Sequence, residues 1–209
     1  MHTTLEKLSR VKNKVNEIIS KKQLKIDPKI IVVTKTFSLN NIMPLLESGH
    51  THYGENKIQE AEDKWSKIKN NYKGLQLHMV GSLQSNKAKR AVKLFDYIHS
   101  LDNEKLALKL SQYEQELGKK IKLFIQVNLA NEKQKSGVSL NSLNDFYNYC
   151  TDELSLNIIG LMCLPPINSD PTKYFDILRK KAEDFKLKDL SIGMSADYEL
   201  AVDKGSTFL

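Results

Sequence analysis

The chain has 209 residues, of which 40% are hydrophobic and 27% are charged, a composition typical of a soluble globular protein with one substantial core. Residues 1–10 lack the apolar segment of a signal peptide, and no stretch approaches the roughly eighteen consecutive apolar residues of a membrane span. Neither secretion nor a membrane protein is supported. We therefore expect a cytoplasmic protein that forms a single domain over residues 1–209.

The net charge of +7 raises the question of an anionic partner such as a nucleic acid. The 32 basic residues are interspersed with 25 acidic ones, and no block of five like charges occurs. A solvated, lysine-rich surface explains this pattern better, so no nucleic-acid partner is expected.

Cys150 and Cys163 form no CxxC or metal-ligand spacing, which predicts free, buried thiols in a reducing compartment.

A helix over about residues 3–22, with apolar residues at helical spacing, precedes an alternation of strands and helices. Strands are predicted at 30–36, 50–56, 75–80, 97–101, 121–129, 156–164, 187–194 and from 206. The intervening helices are predicted at 40–48, 57–70, 86–95, 103–117, 142–151, 172–185 and 196–204.

Eight strands, each but the last followed by a helix, predict an α/β fold, a (β/α)₈ TIM barrel with an extra N-terminal helix. The eighth strand is truncated in this sequence, because about four residues are few to close a barrel. A doubly wound sheet is the alternative. No GxGxxG or GxxxxGK[ST] pattern follows any strand to support it.

Lys35 is the candidate reactive residue, because it lies at the C-terminal end of the first predicted strand, where the mouth of such a barrel is found. Partial desolvation by the barrel walls would favour a neutral amine, which forms a Schiff base with a carbonyl. The alternative is that Lys35 pairs with a carboxylate at the rim, such as Glu55. Position alone leaves open both aldolase chemistry and the binding of an aldehyde cofactor.

Gly193, Met194 and Ser195 follow the seventh predicted strand, where barrels commonly bind phosphate. A glycine-containing turn before a helix offers backbone N–H groups and a hydroxyl to an anion. The alternative is that Ser195 caps the next helix.

His50 and His52 alternate on the second predicted strand, a spacing that can bind a metal. They lie at the end of that strand opposite the mouth, without a matching cluster of ligands, so no metal site is expected. His78, inside the third strand, is interpreted as a hydrogen-bonded interior residue.

Five segments of the sequence resemble the pyridoxal-phosphate homeostasis protein family, the single-domain relatives of the alanine racemase barrel. They are VTKT and HYGENKIQE within residues 33–60, LHMVGSLQSNK at 77–87, QVNLANEKQKSG at 126–137, GLM at 160–162 and LSIGMSAD at 190–197. The segments occur in the family's order over nearly the whole chain.

The resemblance implies that Lys35 holds pyridoxal 5′-phosphate (PLP) as a Schiff base, that Asn56 lies near the cofactor ring, and that Ser195 and the backbone of Gly193 and Met194 contact the phosphate. Lys135 matches a second family lysine near the mouth. No catalytic residue is implied, because the family acts in vitamin B6 homeostasis as a carrier or regulator.

The alternative is a PLP-dependent amino-acid racemase or a Schiff-base lysine aldolase. Racemisation needs an acid/base group on the opposite face of the cofactor, which related racemases draw from a second domain and a dimer partner. This chain is too short to contain such a domain. A monomer is expected, with PLP-dependent apoenzymes as candidate partners.

The family continues past the G-S-T segment, here residues 205–207, into a strand that supplies an arginine toward the pyridine nitrogen. This chain ends at Leu209, before that arginine. We expect either a fragment or a protein that closes its barrel and binds its cofactor differently.

Overall fold

A curled sheet of parallel strands, surrounded by helices, forms the centre of the computed structural model, which describes residues 3–132, 134–167 and 169–209. The strands pair in the order β1-β2-β3-β4-β5-β7-β8, and β6 pairs with β5. They are β1 (Val32–Val33), β2 (His52–Glu55), β3 (Gln76–Met79), β4 (Tyr97–Leu101), β5 (Lys122–Asn128), β6 (Val138–Ser139), β7 (Ile158–Met162) and β8 (Asp189–Ser191). The predicted barrel-like α/β architecture is confirmed.

The helices alternate with the strands, and the extra N-terminal helix is present. They are α1 (Thr3–Lys22), α2 (Leu39–Glu47), α3 (Ile58–Trp65), α4 (Ala88–Leu94), α5 (Glu104–Leu117), α6 (Leu143–Asn148), α7 (Thr172–Asp184) and α8 (Tyr198–Asp203). Short 3₁₀ turns at Lys69–Asn71 and Ser85–Lys87 occupy the ends of two predicted helices. No helix of the described part of the chain is long and apolar enough to cross a membrane.

The C-terminal residues close the ring of strands. Lys29 N donates to Thr207 O over 2.8 Å, and Leu209 N donates to Lys29 O over 2.9 Å. On the other side, Phe208 N donates to Leu190 O in β8 over 3.0 Å. The eighth barrel position is therefore short, as the sequence predicted, yet it bonds to both of its neighbours.

Alternation along the strands sorts the core into two layers. Buried apolar residues such as Leu77, Ile98 and Leu123 belong to the large cluster between the sheet and the helices. A second, smaller cluster fills the barrel interior and consists of Tyr97, Phe124, Met162 and Phe208. Side chains thus fill the barrel interior, as in other small barrels.

Candidate functional site

Lys35 lies in the turn directly after β1, at the mouth of the barrel. A Cβ atom placed on Gly54 of the neighbouring strand would lie 2.8 Å from Ile31 Cγ2 and 3.3 Å from Val33 Cγ2, so both side chains face Gly54. Alternation places Lys35 in the same register as these two residues. Lys35 is exposed rather than desolvated by the barrel walls, which corrects that part of the prediction.

The amine of Lys35 makes no ion pair or hydrogen bond with any residue in the described part of the chain. The alternative partner, Glu55, is fully buried and occupied elsewhere. Its Oε1 atom accepts from Lys64 Nζ over 2.7 Å and from Trp65 Nε1 over 2.9 Å, both in α3. A pairing of Lys35 with Glu55 was therefore wrong, because Glu55 faces the helix layer and not the mouth.

Lys64 and Glu60 hold the turn that carries Lys35. Thr36 has a φ of +65°, a region that β-branched residues rarely adopt, and its N–H donates to Glu60 Oε1. Lys64 Nζ donates to Glu60 Oε1 over 3.2 Å and to Thr34 O over 2.6 Å. Burial raises the pKa of Glu60, but the Thr36 N–H and Lys64 outweigh it, and the net pKa is lowered. The backbone is thus fixed on both sides of Lys35.

Asn56 follows β2, the strand that pairs with β1, and is half-buried at the mouth. It packs against Gly81, which follows β3: a Cβ atom on Gly81 would lie 2.3 Å from Asn56 O and 2.7 Å from Asn56 Cα. Only a glycine at position 81 permits this approach. The predicted residue Asn56 therefore lies one strand away from Lys35, at the same end of the barrel.

The segment of Gly193, Met194 and Ser195 follows β8 and precedes α8. Gly193 has a φ of +98°, and a Cβ atom there would lie 2.6 Å from Ala201 Cβ. Met194 N donates to Asp197 Oδ1 over 2.6 Å, so a carboxylate of the protein already occupies this backbone donor. Ser195 is exposed and does not cap α8, because Asp197 is the residue directly before that helix.

Lys135 lies in the loop between β5 and β6 and is half-buried. Its Nζ atom lies 2.6 Å from Glu132 Oε2 and 3.4 Å from Pro165 O, which follows β7. This second family lysine is thus near the strand ends but already has partners, unlike Lys35.

Several large apolar side chains are exposed after strand ends. Val33 is 40% exposed, Phe37 55%, Leu164 43%, Ile167 86% and Met194 52%. Val33 is the last residue of β1, and Phe37 follows that strand. Leu164 and Ile167 follow β7, and Met194 follows β8. Apolar surface at a concave mouth is suited to the flat face of an organic ring.

Three histidines form a hydrogen-bonded chain inside the barrel. His52 Nδ1 lies 2.9 Å from His78 Nε2, and His78 Nδ1 lies 2.9 Å from His99 Nε2. The chain ends at Ser191 Oγ, 2.7 Å from His99 Nδ1. The interpretation of His78 as an interior hydrogen-bonded residue is confirmed. His99 was not singled out, because one histidine in a strand carries no distinctive sequence signal.

These histidines are neutral near pH 7. Burial lowers the pKa of His52 to about 4 and that of His99 to about 3. Burial, with His99 and His52 as like-charged neighbours, also lowers the pKa of His78 well below its ordinary value. Among the described residues, no group of three potential metal ligands converges. The three histidines therefore form a polar part of the core in which their ring nitrogens are hydrogen-bonded.

The family described as "Alanine racemase, N-terminal domain" matches residues 7–207. The pyridoxal phosphate homeostasis protein of Escherichia coli is 30% identical over 189 residues, which cover 86% of this chain and 81% of the relative. The protein of the same name from Synechocystis is 32% identical over 190 residues, 87% of each chain.

The solved structures of PipY from Synechococcus elongatus superpose with a TM-score of 0.82 without PLP and 0.80 with PLP bound. In both cases the identity is 32%, and the match covers 93% of this chain and 95% of PipY. An alanine racemase of Clostridium difficile is 13% identical with a TM-score of 0.68, which shows a shared fold. The chain therefore belongs to the alanine racemase N-terminal domain family and, within it, to the pyridoxal phosphate homeostasis proteins.

Proposed function

We propose that this protein binds PLP at the barrel mouth through a Schiff base on Lys35 and acts in vitamin B6 homeostasis as a cytoplasmic carrier or regulator. The observation that carries the proposal is the amine of Lys35, which lies at the end of β1 without a partner in the described part of the chain. The related PipY, 32% identical, has been solved with PLP bound.

Lys35 would act as a nucleophile. Its amine would bond to the aldehyde carbon of PLP, and the carbonyl oxygen would be lost as one water molecule. PLP supplies an aldehyde for this bond, an aromatic ring and a phosphate dianion. The network of Thr36, Glu60 and Lys64 keeps the backbone of Lys35 in place, so only the side chain of Lys35 would lose conformational freedom when the bond forms.

The residues of the mouth fit such a ligand. The side chains of Ile31 and Val33 pack against Gly54, and Val33 at the end of β1 is 40% exposed and can contact the ring. Asn56 would lie beside the ring, with Ser195 Oγ and Met194 N–H toward the phosphate. Because Met194 N–H donates to Asp197, phosphate binding there requires the Asp197 carboxylate to withdraw.

A carrier or regulator is favoured over a catalyst because the relatives that match most of this chain are named pyridoxal phosphate homeostasis proteins. We propose that residues 1–209 form one cofactor-binding domain, and that the bound PLP is passed to apoenzymes rather than used in turnover.

The direct test is reduction of the PLP complex with borohydride, followed by mass mapping of the labelled peptide. The label is expected on Lys35, and Lys35→Ala should lose it together with the near-visible absorbance of the Schiff base. Lys105→Ala, which removes an exposed lysine in the first turn of α5, after β4 at the same end of the barrel, is the matched control and should keep the label on Lys35.

A reduced adduct that persists in Lys35→Ala would overturn the assignment. The carrier role requires a second measurement. Turnover of alanine or of a keto acid by the PLP complex, lost in Lys35→Ala, would identify an enzyme instead. Reactivation of a PLP-dependent apoenzyme by the loaded protein, without turnover, is the expected result.

A further inference from the structure

A groove of about 520 Å³ lies beside the mouth, between the segments that follow β2 and β3. Its volume is in the range of small-molecule sites. The lining residues are Asn56, Lys57, Ile58, Gln59, Met79, Gly81, Ser82, Leu83, Gln84 and Lys87. Asn56 lines this groove and also follows β2 beside Lys35, so the groove lies next to the mouth.

The lining of the groove is cationic. It contains Lys57 and Lys87 and no aspartate or glutamate. Lys57 is exposed, and Lys87 is half-buried at the end of the turn Ser85–Lys87. Neither forms an ion pair with any residue that the structure describes. Two positive charges thus border one cavity without a paired carboxylate.

Neutral donors of the groove are also uncommitted. Across the described ranges, the side chains of Asn56, Ser82 and Gln84 make no hydrogen bond. Gln59 is different, because its Oε1 atom accepts from Arg90 over 2.8 Å and its Nε2 atom donates to Asp63 over 3.0 Å. Ser82 and Gln84 are exposed and Asn56 is half-buried, so all three side chains are free to bond to a ligand in the groove.

The acidic residues of α3 do not neutralise the positive charges of Lys57 and Lys87. Glu60 is held by Thr36 and Lys64, although Lys57 contributes to its lowered pKa from a distance. Glu62 accepts from Arg90 Nε over 2.9 Å. These carboxylates are engaged on other sides of the helix, so the two lysines remain available to an external anion.

The base of the groove is apolar. Ile58, Met79 and Leu83 are almost fully buried there, with exposures of 4% or less. A ligand that combines an apolar part with an anionic group would match both the base and the rim. A phosphate monoester suits the rim best, because its three terminal oxygens and charge near −2 can use both lysines and the neutral donors.

We propose that this groove is a second ligand subsite, which binds a small organic phosphate monoester without a covalent bond. Lys57 and Lys87 would act as the charge partners, and Asn56, Ser82 and Gln84 as hydrogen-bond donors. The subsite requires no Schiff base. Occupation of the groove would bring a second phosphate ligand next to Asn56 and hence next to the mouth.

Glycerol 3-phosphate is a suitable probe, because it carries a phosphate monoester and no aldehyde. In an NMR titration, backbone amides of residues 56–59 and 81–87 should shift in a saturable manner. Lys57→Gln combined with Lys87→Gln should weaken binding by about tenfold or more, as expected for lost charge-assisted hydrogen bonds. Glycerol should cause no saturable shifts in the same residues.

Lys105→Gln is the matched control, because it removes an exposed charge on α5 for which the described residues provide no ion pair. It should leave the affinity for glycerol 3-phosphate unchanged. A double variant whose spectrum keeps the dispersion of the parent protein is folded, so its weakened binding reports the groove. Equal affinity of the double variant and the parent would overturn the proposal.

Failure of this subsite is distinguishable from failure of the proposed function. Lys35→Ala should lose the reducible PLP adduct and keep the shifts at 81–87. Shifts confined to residues 193–195 would show that the probe binds only at the mouth and would overturn the groove assignment, while the Lys35 adduct would be unaffected.

Discussion

Polar side chains inside the barrel are hydrogen-bonded to each other, whereas the lysine at its mouth has no such partner among the described residues. Inside, His78 and His99 use their ring nitrogens for each other, for His52 and for Ser191. At the mouth, Lys35 has no partner among the described residues. Partnered buried groups specify one core, whereas uncommitted groups at a concave surface mark the place where a ligand completes the hydrogen bonds.

Lys64 and Lys35 show the same difference between a hydrogen-bonded side chain and one without a partner among the described residues. Lys64 is 8% exposed and bonds to Glu55, Glu60 and the Thr34 carbonyl. Lys35 is exposed and bonds to none of them. The first lysine supports the backbone, and the second is left available for chemistry.

The largest effect is expected from breaking the buried pair. Glu55→Ala should lower the free energy of unfolding by about 3–5 kcal/mol, because the buried Lys64 would lose its closer carboxylate partner and Trp65 Nε1 its acceptor. Urea unfolding followed by circular dichroism measures this change. Glu55→Gln keeps an acceptor in the same place and should cost less. A loss below about 1 kcal/mol for Glu55→Ala would contradict the structural role of the pair.

A smaller effect is expected from mild acid, through the interior histidines. Unfolded histidine has a pKa of about 6.5, and the folded pKa of His99 is about 3, with that of His78 also well lowered. Below pH 6.5 the unfolded chain therefore binds protons that the folded protein does not. Stability should fall as the pH falls, by about 1.4 kcal/mol for His99 between pH 7.5 and 5.5, and His78 should add to this loss.

The contribution of one histidine can be isolated with His99→Phe. Below pH 6.5 this variant should show a pH slope of unfolding free energy that is shallower by about 1.4 kcal/mol per pH unit. Parallel slopes for the variant and the parent would mean that His99 is not kept neutral in the folded state.

The smallest effect on stability is expected at the mouth. Lys35→Met should change the free energy of unfolding by no more than about 0.5 kcal/mol, because the exposed amine has no partner to lose. The same urea titration provides the measurement. A loss comparable to that of Glu55→Ala would remove the contrast between the two lysines.

The architecture could be predicted because apolar strands and amphipathic helices alternate without a break. The position of Lys35 after β1 followed from the same alternation. The local strand length could not be predicted: a run of four apolar residues, 30–33, gives only a two-residue β1, because part of that segment pairs with the C-terminal residues instead.

Pairings across elements were beyond the sequence. Lys64 lies among charged residues of α3, and nothing in that segment indicates that it turns inward to Glu55. The bond from Met194 N–H to Asp197 was also missed, because a carboxylate three residues along the chain is an ordinary surface residue until the turn is known. Both depend on the three-dimensional path of the backbone.

The closure of the barrel by residues 207–209 has a consequence for folding. Phe208 packs against the rings of His78, Tyr97 and Phe124 with centroids 5.9, 5.4 and 5.2 Å apart. The backbone of Lys29 bonds to Thr207 and Leu209, which lie far from it in the sequence. Because contacts between such distant residues require the closure of a large loop, completion of the ring is expected to be a late step in folding.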